Sequence, residues 1–260
     1  MNEITEFSNQ WALILGGSSG LGLASAQKLA KHGMNLCIVH RDRKTTLEAF
    51  EEVVNVMRAE GSEVLTFNKD ALKPENREEV LNILKDKKIK LLLHSIAKGS
   101  LKPMVSQNDT TLSKEDLTIT LDAMGLSLYD WTKAINEYGL FAENGRVIAF
   151  TSEGNTKAWP HYGAVSAAKA VLEALVRNIA LEFAPIGITA NCIQAGVTQT
   201  PSFEAIPGSE LLAGFAKKRN PFKRLTTPTD VGNVVYLLCK NEASWINGTV
   251  LKVDGGEHLS

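Results

Sequence analysis

Trp11-Ala12-Leu13-Ile14-Leu15 followed by Gly16-Gly17-Ser18-Ser19-Gly20-Leu21-Gly22 is the stretch that decides the fold. Five apolar residues form a short strand, and glycines at 16, 20 and 22 allow a tight turn and close backbone approach. From 24 to 32 the apolar residues return at helical spacing. A helix starting there offers unpaired N–H groups and the positive end of its dipole to a pyrophosphate. The spacing is GxxxGxG rather than the GxGxxG of the general dinucleotide fingerprint. Gly16, Ser18, Ser19, Gly20, Leu21 and Gly22 are therefore the first cofactor-binding candidates.

Downstream, the pattern repeats. Residues 35–40 read as a second strand, 45–60 as an amphipathic helix closed by Gly61, and 63–68 as a third strand with Asp70 and Ala71 just beyond it. A helix over 74–85 begins with Pro74, and a fourth strand over 90–94 runs into Ser95-Ile96-Ala97, small enough for a cofactor to lie against the backbone. A long helical segment over 113–138 and a fifth strand over 146–150 follow. Strands at 188–194 and 249–253, with a helix at 229–240 between them, complete the alternation. Such alternation predicts an α/β fold: one doubly wound, Rossmann-type parallel sheet of about seven strands, helices on both faces, and ligands at the carboxyl ends of the strands. With neither repeat nor linker, residues 1–260 read as a single domain. The long stretch 195–227 is expected to be a substrate lid.

After the second strand, where an NAD enzyme usually places an acid, stands His40-Arg41-Asp42-Arg43-Lys44. These basic residues favour a 2′-phosphate, hence NADPH over NADH, with His40 and Arg41 as its partners and Asp42 as a possible helix cap.

Trp159-Pro160-His161-Tyr162-Gly163-Ala164-Val165-Ser166-Ala167-Ala168-Lys169 carries the chemistry. Positions seven apart on a helix are about 20° out of register and roughly 10 Å apart along the axis, so Tyr162 and Lys169 share a face. A nearby Lys is expected to lower the phenol's pKa and make it a usable proton donor.

Composition narrows the classes. With 44% hydrophobic and 22% charged residues among 260, the chain is an ordinary globule, and Lys+Arg 28 against Asp+Glu 29 gives a net charge of -1. No global field draws it to nucleic acid or to an anionic membrane. Cys37, Cys192 and Cys239 lie in apolar runs and read as buried free thiols, and no metal-ligand spacing is present. The polar start lacks the basic and apolar regions of a signal peptide, so a cytoplasmic protein is expected.

Taken together, these residues resemble the short-chain dehydrogenase/reductase family over essentially the whole chain. The resemblance rests on the glycine turn, Asp70, the Ser152 and Lys169 pair, residues 191–200 and the closing Val253-Asp254-Gly255-Gly256. It implies that Asp70 contacts the adenine, Lys169 the nicotinamide ribose, and Gly196 and Thr198 to Thr200 the carboxamide and phosphate region. It also implies a homotetramer joined near residues 249–256. Where ordinary members carry Tyr-x-x-x-Lys, this chain has Val165, and its tyrosine stands at Tyr-x6-Lys. That spacing, His94-Ser95-Ile96-Ala97 and Asp122 resemble the NADPH-dependent enoyl-acyl carrier protein reductases, although positions 152–158 hold no second tyrosine.

The resemblance implies reduction of a 2-enoyl thioester carried by acyl carrier protein or CoA, with Tyr162, Lys169 and Ser152 catalytic. Moving the donor from Lys minus four to Lys minus seven displaces it by about 4.5 Å, the scale of the reach from a β-carbon to a thioester oxygen. The alternatives are a carbonyl reductase using Ser152 and Tyr162, and a non-catalytic NADPH-binding sensor. Within 195–227, Phe203, Ile206, Leu211, Leu212, Phe215 and Phe222 read as helical core or as an alkyl slot. Lys217, Lys218, Arg219, Lys223 and Arg224 read as a solvated basic rim suited to an acidic carrier.

Overall fold

Both faces of every central strand need cover, and the side chains divide accordingly. Trp11, Leu13 and Leu15 enter the core on one face of the sheet, while Ala12 and Ile14 enter the core on the other. The computed structural model describes residues 6–259, so most of the polar start, residues 1–5, lies outside the described residues. Strands β1 (Trp11–Leu15), β2 (Asn35–His40), β3 (Val64–Asn68), β4 (Ile89–His94), β5 (Phe141–Thr151), β6 (Thr189–Ala195) and β7 (Val250–Val253) form one parallel sheet. Their order is β3-β2-β1-β4-β5-β6-β7.

Helices α1 (Gly20–Ala30) and α2 (Lys44–Ala59) cover one face, with Leu29, Phe50, Val54 and Met57 in the core. On the other face lies α3 (Pro74–Ile83), which buries Val80 and Leu81. The strand order reverses between β1 and β4, where a parallel sheet opens a crevice. Gly16 and Ser95 meet there: Gly16 has φ +83, and a β-carbon on it would lie 2.6 Å from the Ser95 carbonyl oxygen. No L side chain fits that position.

The segment expected as one helix over 113–138 runs continuously but in three parts. Helix α4 (Lys114–Leu121) starts with a Ser113/Asp116 capping box, a π-helical turn occupies Asp122–Leu126, and α5 (Ser127–Glu137) buries Leu128, Trp131 and Ile135. Gly125 in the π turn lets this rod approach α6 (Gly163–Glu182): a β-carbon there would lie 3.2 Å from Val171 Cγ1. Helix α6 begins one residue later than expected. Tyr162 is its N-cap rather than a helical residue, and His161 before it has φ 65, the left-handed turn that brings the chain in.

Segment 195–227 contains α7 (Pro201–Glu204) and α8 (Ser209–Arg219). Helix α9 (Pro228–Cys239) then returns to the α1 face, and its carboxyl end is capped by a buried cation from β5. Arg146 donates through Nε to Leu238 O (2.9 Å), through Nη2 to Lys240 O (3.3 Å), and through Nη1 to Asn144 O (2.7 Å) and Gly145 O (3.2 Å). The three cysteines are buried free thiols. No helix among the described residues is long and apolar enough to cross a membrane.

Candidate active site

A cavity of about 240 Å³ opens at the carboxyl ends of β1, β4, β5 and β6. Of the residues singled out from the sequence, Gly16, Ser19, Gly20, Leu21, Ser95, Ile96, Ala97, Ser152, Tyr162, Lys169, Gly196, Thr198 and Thr200 line it. Ser18, Gly22, His40, Arg41, Asp70 and Ala71 do not. Ser19 caps α1 in an extended conformation without a side-chain hydrogen bond, and the first turn holds no acid, so the free N–H groups and dipole suit a phosphate. Gly22 is buried behind this turn, where a β-carbon would overlap the Gly16 carbonyl oxygen. The arrangement fits a dinucleotide.

Tyr162 and Ser152 hydroxyls lie 3.2 Å apart, and Tyr162 is almost wholly buried against Trp159. Gly154 makes room for the ring: a β-carbon on it would overlap Tyr162 Cε1 and stand 2.6 Å from Cδ1. The turn bearing Ser152 and Gly154 is tied to α6, since Glu173 accepts from Thr151 Oγ1 (2.6 Å) and from Asn155 Nδ2. Val165, four residues before Lys169, is an apolar part of the wall.

Lys169 is buried, and its Nζ donates to the Phe150 carbonyl (2.7 Å). That is its one bond among the described residues, which leaves two N–H donors available. Burial pulls its pKa down to about 8, against the opposing influence of Cys192 and Glu173. The expected Lys effect on the phenol is corrected: burial pushes the Tyr162 pKa up, and the Ser152 hydrogen bond only offsets this. Tyr162 therefore stays protonated. Buried His94 bonds Ser127 Oγ (2.9 Å), and burial with the Lys169 charge lowers its pKa to about 3, leaving it neutral.

At the end of β2 the His40 ring is buried against Phe50 and hydrogen-bonded through Nδ1 to Asp42 (2.7 Å). Arg43, not Asp42, caps α2. Arg41 is exposed and paired with Asp70 at 3.0 Å. Burial pushes the Asp70 carboxyl up, but the Leu72 N–H, Lys98 and Arg41 outweigh it and hold it below the usual range. The Ala71 carbonyl accepts from Trp131 Nε1 (2.9 Å).

Segment 195–227 splits into two parts. Phe203 and Ile206 join Leu101, Met124 and Trp159 in the cavity wall, whereas Leu211, Phe215 and Phe222 are exposed. One member of the basic run leaves the solvated rim. Arg224 is exposed and pairs with Asp230 (2.6 Å) at the surface, whereas Arg219 lines the cavity, bound to Glu153 (2.5 Å) and Glu257 (2.6 Å). Sequence reading missed Glu153, Gly154 and Glu257. Gly154, just past a strand that ends at Thr151, was the detectable signal; Glu257 is brought back by the C-terminal turn.

A family model described as "Enoyl-(Acyl carrier protein) reductase" matches residues 16–258. The chain belongs to the enoyl reductase-like short-chain dehydrogenase/reductases. As a member of that family it is an oxidoreductase. The enoyl-[acyl-carrier-protein] reductase [NADH] FabI of Aquifex aeolicus (strain VF5) is 33% identical over 169 residues, which span 65% of this chain and 62% of that relative's length. The crystal structure of enoyl-[acyl-carrier-protein] reductase (NADH) from Aquifex aeolicus VF5 matches with a TM-score of 0.82 at 27% identity, covering 98% of both chains. Dehydrogenase/reductase SDR family member 4 of Rattus norvegicus is 26% identical over 257 residues, 96% of this chain and 87% of that protein. A short chain dehydrogenase from Burkholderia cenocepacia J2315, crystallised in complex with NADP, shares the fold: TM-score 0.82, 24% identity, covering 97% of this chain and 99% of that one.

Proposed function

We propose that this reductase saturates the carbon–carbon double bond of a 2-enoyl thioester, using NADPH and a substrate carried by acyl carrier protein or CoA. One observation carries the reading: Tyr162 is the phenol in the cavity wall, seven residues before Lys169, while the position four before holds apolar Val165. The first turn of α1 would hold the pyrophosphate, Lys169 the nicotinamide ribose, and Gly196, Thr198 and Thr200 the nicotinamide end. When bound, the cofactor supplies hydride for the β-carbon. Negative charge then grows on the thioester oxygen, to which Tyr162, kept protonated by burial, donates a hydrogen bond as in an oxyanion hole, and a proton drawn from solvent to the α-carbon discharges the enolate and completes the saturation. Ser152 fixes the direction of that hydroxyl. The wall of Leu101, Met124, Trp159, Phe203 and Ile206 takes the acyl chain and excludes water.

NADPH preference rests on Arg41, which must turn from Asp70 to grip a 2′-phosphate. Carrier docking rests on Lys217, Lys218 and Lys223, exposed beside Leu211, Phe215 and Phe222, a surface suited to an acidic partner. A homotetramer is part of the same reading, and light scattering at micromolar concentration tests it. The bond between Ser152 and Tyr162 favours a second reading, carbonyl reduction. Oxidation of NADPH with crotonyl thioester, against a 3-oxoacyl thioester and against NADH, separates these readings. Faster turnover of the 3-oxo substrate overturns the first, and equal kcat/KM for the two cofactors overturns the NADPH assignment.

A further inference from the structure

Arg219 was expected at the surface and is found in the cavity wall, at the carboxyl end of α8. Its Nη2 alone carries both ion pairs, to Glu153 Oε2 from the turn after β5 and to Glu257 Oε1 from the C-terminal turn. Glu257 is itself fixed, since its Oε2 accepts from Val197 N at 3.1 Å, and its side chain is only 2% exposed. Three segments far apart in sequence thus hold one guanidinium. Its Nε–H and both Nη1–H donors have no protein partner among the described residues. A planar fork anchored by one nitrogen and open at the others is a preorganised donor.

Charge decides what such a fork takes. Arg219 with two carboxylates sums to one negative charge, and Lys157 on the other oxygen of Glu153, Oε1 (2.5 Å), brings the group to neutral. An anion would gain no net attraction there, whereas a neutral carbonyl oxygen accepts from the charged donor at little desolvation cost to itself. Glu153 directly follows Ser152, so the fork lies beyond the reacting end of the cavity, while the apolar wall holds the other arm of the substrate. We propose that Arg219 is a substrate-recognition residue, donating to a neutral amide carbonyl on the arm beyond the thioester sulfur, and that Glu153 and Glu257 hold it in place. The assignment rests on the enoyl thioester reading and names the part of the substrate that reading leaves open.

The test compares crotonyl pantetheine, whose arm carries amide carbonyls, with S-ethyl thiocrotonate, which has none. The wild type should favour the pantetheine ester through KM, by roughly ten- to a hundredfold. In Arg219→Met that preference should collapse, the ratio of kcat/KM for the two esters falling toward one. Arg219→Lys keeps a cation but loses the fork, so it should fold normally and lose most of the preference. Equal use of both esters by the wild type, or equal losses on both in Arg219→Lys, overturns the proposal. Should neither ester be oxidising NADPH, the enoyl reading itself falls. Calorimetric binding of butyryl pantetheine against S-ethyl thiobutyrate then decides for Arg219 alone, and indifference between the two overturns it.

Discussion

Of three buried cations among the described residues, Lys90 and Arg146 stand toward the amino ends of the strands and Lys169 at the carboxyl end, and Arg146 and Lys169 are used differently. Arg146, at the amino end of the central strands, spends four hydrogen bonds on carbonyls and closes the end of α9. Lys169, at the carboxyl end, makes one, to Phe150 O, and faces a cavity. Burial depresses the pKa of both. A saturated buried cation is structural; one left with open donors beside a cavity is poised to bind and to act.

The sharpest way to break this contrast is to remove each cation. Lys169→Met and Tyr162→Phe should each cut turnover by ~10²–10⁴-fold in a steady-state assay. Tyr162→Phe should leave cofactor affinity, read by fluorescence titration, nearly intact, and Lys169→Met should lose it. Arg146→Met should do the reverse. It strands several carbonyls, so urea unfolding should report a loss of ~2–4 kcal/mol, with turnover of the folded fraction unchanged. Equal activity losses in Arg146→Met and Lys169→Met would erase the distinction.

Smaller changes sharpen it. Gly154→Ala touches no charge, yet its β-carbon collides with the Tyr162 ring. Turnover should fall about tenfold as the hydroxyl moves, roughly 1.4 kcal/mol in the barrier, with unchanged cofactor affinity. The least effect is in pH. Folded Lys169 releases its proton near 8, against 10.5 for the ordinary side chain, so the unfolded chain binds more protons between those values. Stability should therefore rise with pH across that window, and the rise should be missing in Lys169→Met. Over the same limb, kcat/KM for the cofactor should fall as the cation is lost.

The sheet was legible because a doubly covered strand leaves an uninterrupted apolar run, and Asn35–His40 was bounded to the residue. Helix starts were less so: Pro160 and Gly163 marked a break, but only the left-handed His161 fixes Tyr162 outside α6. The surroundings of His40 and Arg219 were hidden for one reason. Charge in a sequence says nothing about what the fold packs against it, here Phe50 on the His40 ring, and Glu153 with Glu257 on Arg219. Exposure of Leu211, Phe215 and Phe222 was equally invisible, since periodicity cannot distinguish a core from an uncovered face.

The π turn at Asp122–Leu126 has a consequence for length variation in this region. A π turn takes in one residue more than an α turn while keeping the helices on either side nearly in phase. A single deletion there that restores an unbroken α-helix therefore leaves Leu128, Trp131 and Ile135 on the core face and Ser127 against His94, and moves only the turn itself. Elsewhere in the rod a deletion swings every later residue by about 100° about the axis, so one-residue length changes are absorbed at the turn.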